Sequence, residues 1–296
     1  MTSLTVVAPG TLTTVQDLGR PGHAHLGVAP SGALDPAALR LANRIVGNPE
    51  QAPALETTFG GLVLRAHGAC VVATTGAPSM LTVESAAGRR THGAGTAVHV
   101  PDGAVLRVAP PARGLRGWLA VRGGVRCPEV LGSASSDLLA GIGTPLIEDV
   151  VLDVGPEPAS APPTLEWAPL SAPGDGALTL RVVPGPRDDW FDDASSSLGR
   201  EWTVDPRSNR VGIRLDGAPL QRDAAHAELE LPSEGTVAGA VQVAANGLPV
   251  LFLADHPVTG GYPVIACVVT ADLPLAAQAV PGQSVRFRPV TGPRLP

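Results

Sequence analysis

The sequence predicts a mainly β protein built from two β-rich halves. Three observations carry this. Glycine (35) and proline (31) recur along the 296 residues, and they separate apolar runs of about five residues, an ordinary strand length. Hydrophobic residues make up 44% of the chain but aromatics only 3%, so the core must be Val, Leu, Ile and Ala, as many short strands require. Six prolines fall among the 22 residues from Gly155 to Gly176, which reads as a linker or long crossover. The organisation predicted is 1–154, a linker at 155–176, and 177–296.

In the first half the runs place strands at Leu4–Val7, Leu62–Arg65, Ala69–Thr75, Ala97–Val100, Val105–Ala109 and Gly117–Val121. In the second they place strands at Leu178–Val183, Val237–Val243, Val250–Leu253, Val264–Val269 and Ser284–Arg288. One helix is marked at both ends. Asp35 suits the N-cap and Pro36 the first helical position. Ala38, Leu41, Ala42 and Ile45 form an apolar stripe, Gly47 supplies a left-handed stop and Pro49 prevents continuation. Shorter helices are predicted at Asp188–Asp192 and Leu273–Gln278. A faint repeat, PDGAVLRVAP (Pro101–Pro110) against PGQSVRFRPV (Pro281–Val290), suggests a turn and outgoing strand used twice.

The charge balance narrows the function. Net charge is −6, without the basic footprint of nucleic-acid binding. All 21 basic residues are arginine. Schiff-base chemistry, a lysine nucleophile and a Walker lysine are therefore excluded, and an anion must be held by Arg, backbone N–H groups or a partner. Cys70, Cys127 and Cys267 form no CxxC pair and show no zinc spacing, which predicts a reducing compartment and no metal. His23 and His25 without a third ligand make weak metal candidates. The opening MTSLTVVAPGTLTT lacks a signal-peptide pattern. Pro263–Val280 is broken by Asp272 and Pro274, unlike a membrane span. A cytoplasmic protein without membrane or nucleic-acid partners is expected.

Several motifs mix polar groups with glycine. Gln16–Gly22 (QDLGRPG) fits either a structural turn tied by Asp17 and Arg20 or an anion loop with Arg20 as carboxylate or phosphate partner. Ser31 stands before the helix N-terminus, where an anion could also bind. Asn43 could satisfy a buried carbonyl or face a ligand. Glu56 could pair with Arg20 or Arg44, or act as an acid or base. Arg187, Arg210 and Arg214 are further anion candidates.

Asp255 and His256 follow the apolar run Val250–Ala254, placing an acid and an imidazole just past a strand end. Thr259-Gly260-Gly261-Tyr262-Pro263 follows at once. It reads as a turn with Tyr262 packed on a barrel, or as a site whose glycines admit a ligand to the backbone. Ser233, Glu234 and Gln242 border the same region and by default face solvent. Asp255, His256 and Tyr262 are the catalytic candidates. Arg20, Ser31, Asn43, Glu56, Arg187, Arg214, Thr259, Gly260 and Gly261 are the substrate- or phosphate-binding candidates.

The blocks Gly10–Gly60 and Ser233–Val268, with AVRGGVRCPEVLGSASS (Ala120–Ser136) and LRVVPGPRDDWF (Leu180–Phe191), resemble the allophanate hydrolase subunit 2 family over nearly the whole chain. The resemblance implies cyclophilin-like β-barrel architecture in both halves. It implies a subunit of an ATP-dependent 5-oxoprolinase-type complex, with ATP used through the complex. The partners would be a protein similar to allophanate hydrolase subunit 1 and a third 5-oxoprolinase subunit; the substrate would be a small lactam or amide. Arg20, Arg187 or Arg214 would neutralise phosphate charge, the Thr259–Tyr262 turn would donate N–H groups, and Asp255 or His256 would handle protons. Many family members carry lysine where Val264 stands, so here an arginine would serve or the activity would differ. The same resemblance allows a urea-carboxylase-type carboxyltransferase. Lacking lysine, the chain cannot carry biotin and would receive carboxybiotin from another protein. It also allows a non-enzymatic partner resembling the antagonist of a sporulation-kinase inhibitor.

Overall fold

The computed structural model describes residues 2–159, 167–170, 173–174 and 176–290. Much of the predicted linker, residues 160–166, 171–172 and 175, lies outside the described residues. The chain divides into two compact units, Met1–Arg20 with Ser31–Pro173, and Pro21–Pro30 with Gly174–Pro296.

The first unit opens with β1 (Ser3–Pro9) and β2 (Leu12–Gln16), followed by helix α1 (Pro36–Val46). Strands β3 (Ala54–Thr58), β4 (Leu62–His67), β5 (Cys70–Gly76) and β6 (Leu81–Ser85) come next. After them run β7 (Gly88–His92), β8 (Ala97–Val100), β9 (Val105–Val108), β10 (Arg116–Val121), β11 (Val125–Arg126) and β12 (Val151–Val154). They form a seven-stranded sheet, β11-β12-β1-β4-β9-β6-β7, and a five-stranded sheet, β2-β3-β10-β5-β8.

One core joins the two sheets through Leu4, Leu64 and Leu106 on one side and Leu55, Val72 and Leu119 on the other. Strand β10 is buried along its whole length, because successive side chains alternate faces and both faces are covered. Leu119 and Val121 enter the core between the sheets. Trp118 and Ala120 meet Leu39, Ala42, Ile45 and Val46 of α1 on the other face. The helix begins and ends where its sequence dictates. Asp35 accepts from the Ala38 N–H at 3.0 Å, and Gly47 adopts φ 73°.

The second unit contains β13 (Leu178–Pro184), α2 (Ala194–Gly199), β14 (Trp202–Val204), β15 (Gly212–Asp216) and β16 (Glu234–Gly235). It continues with β17 (Ala240–Val243), β18 (Pro249–Phe252), β19 (Thr259–Gly260), β20 (Val264–Val268), α3 (Leu273–Ala276) and β21 (Ser284–Pro289). Seven strands close a barrel in the order β13-β20-β17-β18-β15-β14-β21, and β21 returns parallel to β13. Closure leaves no free sheet edge among them. Leu180, Trp202, Val241, Leu251, Val285 and Phe287 are buried in this unit.

The two repeated turns match in detail. Gly103 and Gly282 have φ 74° and 83°, and each donates its N–H into a neighbouring strand region, to Ala66 and Val204 respectively. No helix among the described residues is long and apolar enough to cross a membrane.

Candidate functional site

In the first unit the Gln16–Gly22 motif is a clasp. The Asp17 carboxylate accepts the Gly19 N–H at 2.7 Å, the Ser133 and Ser135 hydroxyls at 2.5 Å each, and the Ala134 N–H at 2.7 Å. Arg20, 1% exposed, donates from Nε to the Val130 carbonyl at 3.1 Å and from Nη2 to that of Ser135. Its guanidinium holds a loop, which argues against the expected role in binding a phosphate or carboxylate.

The neighbouring candidates have similar fates. Ser31 donates to the Ser136 carbonyl at 3.2 Å. Buried Asn43 donates to the carbonyls of Glu50 and Ala52 and accepts from Asn48, so it ties the loop after α1 and does not face a ligand. Glu56, 2% exposed, accepts the Leu34 N–H at 3.1 Å, and Arg44 pairs with Glu50 at 3.5 Å. These positions organise the fold around α1 because each buried polar atom needs a partner.

In the second unit the polar residues gather around the Gly260-Gly261 turn. Strand β18 ends at Phe252, and the chain then turns through Asp255 and His256. Arg210 grips Asp255 with Nε and Nη2, each 2.9 Å from a carboxylate oxygen, and the side chains are 3% and 1% exposed. A carboxylate held this way is unsuited to carrying a proton, so Asp255 positions the chain around it and is not the expected catalytic acid. The same pair commits Arg210 to the fold.

His256 is 5% exposed and its ring stacks near Phe252 at 6.2 Å between centroids. Its Nδ1 lies 2.8 Å from the Pro257 carbonyl and 3.2 Å from Thr236 Oγ1. A carbonyl only accepts, so Nδ1 must carry hydrogen, which leaves Nε2 as the acceptor of the neutral ring. The Thr236 hydroxyl also donates to Pro257.

Two two-residue strands connect this histidine to the turn. Glu234 pairs with Gly260 and Gly235 with Thr259, while the Thr236 N–H donates to Val258. Gln242 donates to the Tyr262 carbonyl at 2.8 Å, from beside a register shift between Val241 and Gln242. Such bulges re-aim side chains near sites. A Cβ at position 260 would sit 2.7 Å from Gln242 Nε2 and would push that side chain aside. Gly261 and Tyr262 are exposed, and their N–H groups donate to no backbone carbonyl among the described residues. The turn thus leaves two N–H groups of exposed residues without a backbone acceptor among the described residues, on a braced backbone. The Tyr262 side chain, 44% exposed, stands in the open beside them.

Arg187 pairs with Glu234 and lies 5.8 Å over the Trp190 ring. The prediction of a ready anion-binding Arg187 is corrected accordingly: its charge is already matched. Arg214 is exposed on β15, and no hydrogen bond or ion pair among the described residues links it to the turn. Sequence reasoning missed Thr236 and Trp190. It also missed a cleft of about 550 Å³ in this unit, lined by Phe191, Leu220, Arg222 and Asn246 among others. The Arg222 guanidinium lies 5.6 Å from the centroid of the Trp190 ring. Thiol nucleophiles are disfavoured, because burial pushes Cys70 up to about 11 and also raises Cys127 and Cys267.

Comparison with known proteins adds a family and relatives. The family model described as "Carboxyltransferase domain, subdomain A and B" matches residues 26–289. A protein from Escherichia coli named as one of the subunits of 5-oxoprolinase is 38% identical, over 96% of this chain and 90% of its own length. The crystal structure of TTHA0988 aligns with TM-score 0.85 and 38% identity, over 97% of this chain and 56% of that one. That of the Kluyveromyces lactis urea carboxylase aligns with TM-score 0.88 and 30% identity, over 98% of this chain and 27% of that one. The chain therefore spans about half of the first solved protein and about a quarter of the second.

Proposed function

The chain belongs to the family of carboxyltransferase domains, subdomains A and B, and from that premise we propose that it is a subunit of a cytoplasmic 5-oxoprolinase-type complex acting on a small lactam. What supports this is the Escherichia coli relative named for 5-oxoprolinase, which matches along nearly its whole length. In this reading the companion is a protein similar to allophanate hydrolase subunit 1, and a third protein completes ring opening to glutamate.

An unstrained lactam is a poor electrophile. Converting its oxygen into a phosphate makes a leaving group, which is the chemistry ATP would supply. Three of the candidate arginines are engaged within the chain. Arg20, Arg187 and Arg210 already hold intrachain partners, which favours a partner protein as the holder of the nucleotide.

The role left to this chain is to hold the organic substrate. The observation that carries it is the braced turn: the N–H groups of Gly261 and Tyr262 point to no backbone carbonyl among the described residues, and Thr236 joins that turn to His256. The two N–H groups would receive a substrate oxygen, the arrangement that stabilises developing negative charge. With hydrogen on Nδ1 facing the Pro257 carbonyl, Nε2 is the atom of His256 that would accept a proton.

The likeness to urea carboxylase favours a second reading, carboxyl transfer from a carboxybiotin borne by another protein. The same backbone donors would serve it. One experiment separates the two. The chain is co-purified with its subunit 1-type partner and the third protein, and phosphate release from ATP is followed with and without 5-oxoproline. Release that depends on 5-oxoproline and matches glutamate formation is expected. A folded, assembled complex with no such dependence refutes the lactam reading and puts carboxyl transfer first.

A further inference from the structure

The loop between β11 and β12 presents an unusual surface. Val130, Leu131, Leu138, Leu139 and Ile147 are 42%, 39%, 40%, 54% and 65% exposed, and all lie on this one segment. Exposed aliphatic side chains scattered singly need no explanation, but concentration on one element does.

The segment is nevertheless held firmly. Asp17 and Arg20 fasten residues 130–135 from below. The Ser136 and Leu146 N–H groups donate to Val15 and Thr13 of β2. Asp137 and Ile142 exchange both backbone hydrogen bonds, and Asp137 also accepts the Leu139 and Ala140 N–H groups. The tip that carries Leu138 and Leu139 is therefore a closed turn. Leu131 and Asp149 occupy left-handed backbone at φ 53° and 66°, a strain that persists only where surrounding structure imposes it. A loop whose backbone is already held loses less freedom on contact than a mobile one.

We infer that this surface docks a different chain, one whose apolar centre is flanked by Lys or Arg. Charge identifies the occupant. Glu129, Glu148 and Asp149 are exposed on the same segment as the aliphatic side chains, and no basic residue occurs between Pro128 and Val151. A second copy would set these acids against each other, whereas a basic rim complements them. The two solved relatives carry the same fold within longer chains. The identity of the docked chain as the subunit 1-type partner rests on the function proposed above.

The test uses the full chain and purified subunit 1-type partner, with affinity from calorimetry and mass from light scattering. The variants are Leu138→Asp/Leu139→Asp and, independently, Ile147→Arg. All three side chains are solvent-facing, and thermal unfolding checks the fold of each variant. Binding should weaken by about tenfold or more, the effect of removing an apolar anchor, while Met80→Asp, also on an exposed residue of the first unit, should bind as the wild type does. Wild-type affinity in a folded variant of either kind overturns the docking assignment alone. Absence of any complex with the wild-type chain overturns both the assignment and the proposed function. Self-association that the variants abolish overturns it in favour of a second copy.

Discussion

Arg210 and Asp255 form a two-pronged ion pair in which Nε and Nη2 each lie 2.9 Å from a carboxylate oxygen, with hardly any solvent contact. The pair joins the turn before β15 to the chain just past β18, and so fixes the backbone from which His256 projects. Removing either partner strands a buried charge, at a cost of about 3–5 kcal/mol. Replacing both with apolar residues removes the charge as well as the attraction. Asp255→Asn and Arg210→Met should therefore each lower the urea midpoint sharply, and Arg210→Met/Asp255→Leu should be more stable than either. Additive losses in the double variant would mean that the two side chains are not coupled.

The turn glycines make opposite predictions. A Cβ at Gly261 would meet only the Leu231 carbonyl at 3.5 Å, an ordinary contact, whereas one at Gly260 would press on Gln242 Nε2 at 2.7 Å. Gly261→Ala should fold as the wild type does. Gly260→Ala should displace Gln242 from the Tyr262 carbonyl and cost about 1 kcal/mol, the worth of one hydrogen bond. Chemical denaturation of both variants checks the order. Because alanine keeps the N–H, loss of complex activity in folded Gly261→Ala would show that a substrate approaches this turn too closely to admit a methyl group, and unchanged activity would exclude that close approach.

The legible parts of this fold are those where one rule dominates locally. The ends of α1 were readable because Asp35, Pro36 and Gly47 each act within a turn of their own position. Strands β4, β5, β10, β13 and β20 were readable from short runs rich in Val, Leu, Ile and Ala. Strands β2 and β3 were not. Thr13, Thr14, Thr57 and Glu56 are buried there, and their polarity disguises a strand whose hydrogen-bond partners lie far away in sequence. Strand β7 (GRRTH) is almost wholly exposed at a sheet edge, where charge is tolerated and periodicity carries no signal. At the site, the Gly-Gly turn and His256 could be found from composition. The fates of Arg20, Arg187 and Asp255 could not, because the partners that claim them, at Ser135, Glu234 and Arg210, are brought near only by the fold.

Asp272 gives a pH signature. It accepts the Arg181 N–H at 2.7 Å and bonds the same residue's guanidinium at 2.6–3.2 Å. Hydrogen bonding to Arg181 lowers its pKa against the opposing effect of burial. A depressed folded pKa means stability that is fully present above the unfolded value of about 3.9 and is lost as pH falls through the folded value. Asp272→Asn should therefore be less stable than the wild type at neutral pH, and the gap should close below about pH 4. Unfolding temperatures across that range check it. A gap independent of pH would assign the loss to packing and not to charge.

The last prediction separates His256 from the residue that orients it. If Nε2 takes a proton in the reaction, His256→Ala should lower kcat/KM of the assembled complex by about a hundredfold, within the usual range for a general base. Thr236 acts differently. Its hydroxyl meets Nδ1 at 3.2 Å and also donates to the Pro257 carbonyl, so it fixes the ring without touching substrate. Thr236→Val should lower kcat by about tenfold with little change in KM, because orientation and not binding is lost. Thr236→Ser restores the hydroxyl and should recover most of the rate. The methyl group of Thr236 also lies near Gly260, so failure of the serine variant to rescue would show that packing on the turn, and not the hydrogen bond to His256, is what Thr236 contributes.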